Sequence, residues 1–175
     1  MDPDGSEHMT TGLFRCLTAA VVAAAVLSGC ARGPAAEFIG EWDTAEIVSL
    51  DPGVMKQYAQ GDDVKAEFFY EWKVIGRAKL GDRAVVERLL TALDAGITEG
   101  ERPMKCFDPR HALRVTRGDS TRDLVICFEC RQVYFYEVSW ESGKQINTHL
   151  TSRSPEPIFD EIFKAAGLPK AAATH

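Results

Sequence analysis

The chain has 175 residues, 45% of them hydrophobic and 26% charged, and a formal net charge of −6. These proportions are those of a globular protein and exclude collagen-like, coiled-coil and disordered classes. The acidic balance excludes general nucleic-acid binding by bulk electrostatics, and the length accommodates one domain.

The first element in chain order is an eleven-residue apolar run, residues 17–27 (LTAAVVAAAVL), preceded by Arg15. It is too short to span a bilayer as a helix, which needs roughly 20 apolar residues, and it has the length of a secretory h-region. The run ends in Leu27-Ser28-Gly29-Cys30. These residues, placed directly after the apolar run, resemble the lipobox of bacterial prolipoproteins. The resemblance implies a signal segment over residues 1–29 and a membrane partner reached through a lipid. Cys30 would carry a thioether-linked diacylglycerol with further palmitate-class chains, because a single acyl chain binds only reversibly. It also implies a cell-envelope location. Ala31, in place of an Asp, favours the periplasmic face of the outer membrane in a Gram-negative cell. Asp2, Asp4 and Glu7 have the wrong sign for a signal n-region, so residues 1–8 are set aside and Met9 is the better start.

Processing at Cys30 leaves 146 residues with 19 basic and 23 acidic side chains, a net charge of −4. Residues 30–37 read as a tether, 38–170 as one globular domain and 171–175 as a flexible tail. Within the domain, residues 43–50 alternate as a strand and stop at Asp51-Pro52-Gly53, a turn signal. Residues 67–80 are rich in aromatic and β-branched side chains and predict one long strand, bulged at Gly76. Asp82 offers an N-cap to a helix whose stripe is Val85, Val86, Leu89, Leu90 and Leu93, closed by Gly96.

Strands follow around Leu113–Val115, residues 123–128, 133–138 and 144–150, with turns at Gly118-Asp119 and Ser142-Gly143. Ser154-Pro155 opens a last helix with apolar residues Ile158, Phe159, Ile162, Phe163 and Ala166. The expected fold class is α+β: a mostly antiparallel sheet with the two amphipathic helices packed on one face, after an N-terminal signal segment. The other sheet face is left for a partner or a ligand, and Trp42, Trp72, Trp140, Tyr134 and Tyr136 are candidates for lining a pocket, with core packing the commoner use of such residues.

Three thiols remain after Cys16 and Cys30 are accounted for: Cys106, Cys127 and Cys130. Three readings stay open. Cys106, His111, Cys127 and Cys130 form a Cys-x4-His plus Cys-x2-Cys set that suits structural zinc, or copper(I) through its soft thiolates. An exported protein also favours one disulfide and one leftover thiol. Burial as inert core residues is the third. In one continuous strand residues 127 and 130 point to opposite faces, so sharing a metal or a disulfide requires a turn or bulge at residues 128–131. The segments Cys106-Phe-Asp-Pro-Arg-His111 and Ile126-Cys-Phe-Glu-Cys130 are similar to those of a bacterial family without an assigned activity, over residues 67–168, and imply no reaction here.

Residues 102–131 carry seven basic and four acidic side chains, net +3, in an otherwise acidic mature chain. Arg110 and Arg131, beside His111, are therefore candidate anion-binding residues. No GxSxG, P-loop, GxGxxG, HExxH or EF-hand pattern is present. The expected function is that of a lipid-anchored, non-catalytic binding or structural module of the envelope, its fold pinned by the Cys/His cluster. The alternative is a thiol-redox or metal-dependent envelope enzyme using Cys106, Cys127 and Cys130.

Overall fold

A computed structural model describes residues 32–138 and 143–172, which belong to one unit, Ala31–His175. Cys30 and the signal segment lie outside the described residues, as does Trp140. Seven strands form one sheet: β1 Thr44–Met55, β2 Phe68–Phe69, β3 Trp72–Leu80, β4 His111–Arg117, β5 Ser120–Cys127, β6 Gln132–Val138 and β7 Gly143–Leu150. Their order is β2-β3-β1-β4-β5-β6-β7, and every pairing is antiparallel. Helices α1 Pro34–Ile39, α2 Arg83–Glu99 and α3 Glu156–Ala165 complete an α+β fold.

The central strands are buried on both faces. Leu124 and Ile126 of β5 join Ile47, Leu113, Val133 and Phe135 in a core with Val86, Leu89 and Leu93 of α2 and Phe159 and Phe163 of α3. Val125 points the other way and packs with Val48, Leu50, Ala112, Phe69, Trp72 and Tyr136. That double burial is why residues 124–127 read as an unbroken apolar run rather than as an alternation. The second face is closed by aromatic pairs: Tyr70 stacks on Tyr136 with ring centroids 3.8 Å apart, and Phe107 on Tyr134 at 3.6 Å. Each such pair adds roughly 0.5–1.5 kcal/mol beyond the area it buries.

Several elements differ from the sequence reading. Strand β1 continues through Asp51-Pro52-Gly53, absorbing the turn residues as a register shift between Asp51 and Met55. The long strand expected over residues 67–80 is a hairpin, broken where Tyr70 takes φ 56°. A further shift near Gly76 in β3 agrees with the expected bulge. Gly96 does not end α2. It is buried where a Cβ would lie 2.5 Å from Pro155 Cγ and 2.7 Å from Thr151 Oγ1, so only glycine allows this approach. The helix instead stops at Gly100, whose N–H donates to the Gly96 carbonyl.

The segment expected to be tether is partly folded, since residues 34–37 form the first turn of α1 with Ala35 buried. Proline at the first helical position and an acceptor supplied by another helix, Asp94 of α2, explain how so short a helix persists. Among the described residues no helix is long and apolar enough to cross a membrane.

Candidate functional site

The segment between α2 and β4 has no regular structure over residues 101–110 and lies against the turn joining β5 to β6. Met104 N–H donates to the Cys130 carbonyl at 3.0 Å, and the Gln132 side-chain amide donates to the carbonyls of Met104 and Cys106 at 2.9 and 3.3 Å. The turn itself closes through Arg131 N–H to Phe128 O at 3.2 Å, with Arg131 at φ 60°. Residues 127 and 130 are thereby brought to the same side, and Cys127 and Cys130 form a disulfide. Strand parity had set that turn as the condition for sharing, and a left-handed arginine supplies it without Gly, Pro or Asn.

Cys106 is a free thiol with its Sγ 3.0 Å from Cys130 Sγ. Cys127 and Cys130 are buried, whereas Cys106 is exposed. Partial desolvation, then the nearby Asp108 and Glu129 carboxylates, push the Cys106 thiol above its ordinary pKa.

His111 does not join the sulfurs, and this corrects the Cys3His expectation. The imidazole is buried among Phe128, Phe159 and Phe163, and its Nε2 lies 2.9 Å from Asp160 Oδ1 of α3. With two sulfurs bonded to each other and the imidazole turned toward α3, the four side chains do not assemble a zinc or copper shell. Among the described residues no group of three His, Cys, Asp or Glu side chains is arranged to hold a metal ion.

What His111 does join is a cleft of about 310 Å³ lined by Ser49, Arg110, His111, Asp160, Lys164 and Lys170, with Phe163 and Leu168 as apolar walls. Arg110 is 5% exposed, which makes its partners decisive: its guanidinium meets Glu129 at 2.9 Å and donates to the Ala172 carbonyl at 3.2 and 3.3 Å. Ala172, assigned by sequence to a flexible tail, is thus a contact of the site. Arg131 pairs with a different carboxylate, Glu101, at 2.8 Å and does not line the cleft. The two candidate anion-binding arginines therefore serve separate ion pairs.

Burial lowers the His111 pKa and outweighs the raising effect of the Asp160 carboxylate. Burial raises the Asp160 carboxyl, but the His111 and Lys170 hydrogen bonds and charges prevail and hold it at about 2. Lys170 bonds both Asp160 at 2.6 Å and Glu156 at 3.2 Å. Ser49 lies opposite His111 across the β1–β4 ladder, yet its hydroxyl donates to the Pro169 carbonyl and the residue is buried. Sequence reasoning missed Ser49, Asp160 and Lys170. Asp160 lies one turn from Glu156 and Lys164 on the charged side of the helix, where its sequence position gives no signal of a partner in β4.

No family model, curated protein or solved structure matches the chain.

Proposed function

We propose that the chain is a lipid-anchored cell-envelope protein, tethered through Cys30, whose folded domain is a non-catalytic module that binds a small anion in the cleft beside His111. In this reading α2 and α3 act as one covering layer on a single face of the sheet, and the membrane is engaged only through the lipid. In a Gram-negative cell the location is the periplasmic face of the outer membrane.

The observation that carries the reading is the charge of the cleft lining. Arg110, Lys164 and Lys170 line the cleft with one lining carboxylate, Asp160; Glu129 and Glu156 meet Arg110 and Lys170 from outside the lining, so Lys164 is the lining cation with no carboxylate against it among the described residues. A concave site with apolar walls and a few convergent charged groups suits a small carboxylate or phosphate. The non-catalytic part rests on Ser49, whose hydroxyl is engaged by a backbone carbonyl and so is not presented to a ligand. The lipid part rests on Leu27-Ser28-Gly29-Cys30.

Two measurements test it. Citrate and inorganic phosphate, titrated separately, are expected to raise the melting temperature saturably, and Lys164→Glu to abolish the rise; no saturable shift with either anion overturns the anion site. Acyl labelling of the full chain in cells is expected to vanish in Cys30→Ala, and undiminished labelling overturns the anchor.

A further inference from the structure

The three sulfurs form a contact that neither a lipid anchor nor an anion site uses. We propose that Cys106 and the Cys127–Cys130 disulfide constitute a thiol–disulfide exchange relay, in which the one exposed sulfur passes the redox state of a buried disulfide to small thiols outside the protein. This is independent of the anion-binding reading.

The geometry favours attack at one sulfur. Cys106 Sγ is 3.0 Å from Cys130 Sγ, and exchange proceeds by a thiolate attacking a disulfide sulfur. Its position is fixed from the next residue, because Phe107 is stacked on Tyr134 at 3.6 Å and meets Trp72 edge-on at 5.3 Å. The leaving group is prepared as well. Cys130 N–H donates to Cys127 Sγ at 3.0 Å, and a hydrogen bond to a thiolate stabilises it. Asp108 N–H donates to Cys130 Sγ at 3.2 Å, ready for the stage at which Cys130 is released.

The steps balance. The Cys106 thiolate bonds to Cys130 Sγ while the Cys127–Cys130 bond breaks, and Cys127 leaves with the electron pair and takes up a proton. No net oxidation occurs at this stage; the disulfide has moved to Cys106–Cys130 and reached the surface. A small external thiolate then attacks Cys106, releasing Cys130 as a thiol and forming a mixed disulfide on Cys106. A second external thiolate removes the first as an external disulfide. Two external thiols are oxidised, the protein disulfide is reduced to two thiols, and Cys106 ends as it began. Direct attack on Cys127 or Cys130 is hindered because both are buried.

The experiment uses the full chain, acid-quenched and mapped by peptide mass spectrometry so that each cysteine is followed separately. In Cys106→Ser, reduction of Cys127–Cys130 by dithiothreitol at pH 8 is expected to slow at least tenfold. In Cys127→Ser, oxidised glutathione is expected to produce the Cys106–Cys130 disulfide, the trapped intermediate of the relay. A reduction rate within twofold of wild type in Cys106→Ser, or two thiols still free in oxidised Cys127→Ser, overturns the relay. If Cys127→Ser does not fold, the Cys106→Ser rate decides alone.

Discussion

Asp94 of α2 accepts the backbone N–H groups of Ala35 and Ala36 at 2.6 and 3.2 Å, so a side chain 59 residues away caps the first helix of the domain. Asp94→Ala is expected to destabilise the protein by about 1 kcal/mol, in the range of lost N-caps. Burial pushes this carboxyl above its ordinary pKa against the pull of the two amides and His149. The folded state therefore holds the proton more tightly than the unfolded one, and stability from this group falls as pH rises above the ordinary value of 3.8. Urea melts of wild type and Asp94→Ala at pH 7 and pH 4, with hydrogen exchange of the α1 amides, check both effects.

Asp123, fully buried at mid-sheet, accepts from Arg114 Nε and Nη2 at 2.9 and 2.7 Å and from the Tyr70 hydroxyl at 2.7 Å. Arg114 is partly exposed, so Asp123→Ala leaves its guanidinium hydrated in part while the Tyr70 hydroxyl loses its partner, and the change is expected to destabilise by about 2–3 kcal/mol. Tyr70→Phe retains the ring stacked on Tyr136 and loses one charge-assisted bond, with an expected loss of about 1.5 kcal/mol. Chemical denaturation separates the two values. An equal loss in both variants would show that Arg114 finds another partner.

Acid is expected to destabilise the fold in two stages around one contact. The His111 pKa is lowered by burial, so the unfolded chain takes up a proton first and stability drops as pH falls below about 6.5. Asp160, held at about 2 with Lys170, His111 and Glu156 facing it, contributes stability that is lost as pH falls below its ordinary 3.8 toward 2. His111→Leu should flatten the melting temperature between pH 7 and pH 5, while Asp160→Asn should change mainly the lower window.

Alkylation of Cys106 by iodoacetamide should still be accelerating above pH 9, because desolvation, Asp108 and Glu129 raise its thiol pKa. Exchange through Cys106 should follow the same profile, since the thiolate is the attacking form. A rate that levels off near pH 8 would contradict this environment.

Local signals located the elements whose partners are close in sequence. The Val86, Leu89, Leu90 and Leu93 stripe and its Asp82 cap were readable because helix packing repeats every turn. The strands from residue 111 to 150 were readable because neighbours in sequence are neighbours in the sheet. Features set by distant residues were not. Nothing in PAAEFI announces Asp94, and nothing near His111 announces Asp160, 49 residues on. The sequence left the three cysteines open between a disulfide with a leftover thiol, a metal site and inert core residues, and His111 entered the metal reading by spacing alone. Its ring belongs to the opposite constellation because β4 directs it toward α3.

The two rims of the sheet are unequal. One ends in β2, only two residues long, which covers just the start of β3. The other ends in β7, eight residues long, where pairing with β6 slips between Phe135 and Tyr136 and leaves Ile146 out of the ladder. Ile146 is also among the exposed large apolar residues, so the site most inviting to a neighbouring strand is also the one where the ladder is interrupted. A second molecule laid along β7 would lose register midway, with Lys144 near one end of the strand adding charge repulsion between copies. An interruption of this kind disfavours edge-to-edge pairing of identical chains, and here it falls in the middle of a terminal strand eight residues long.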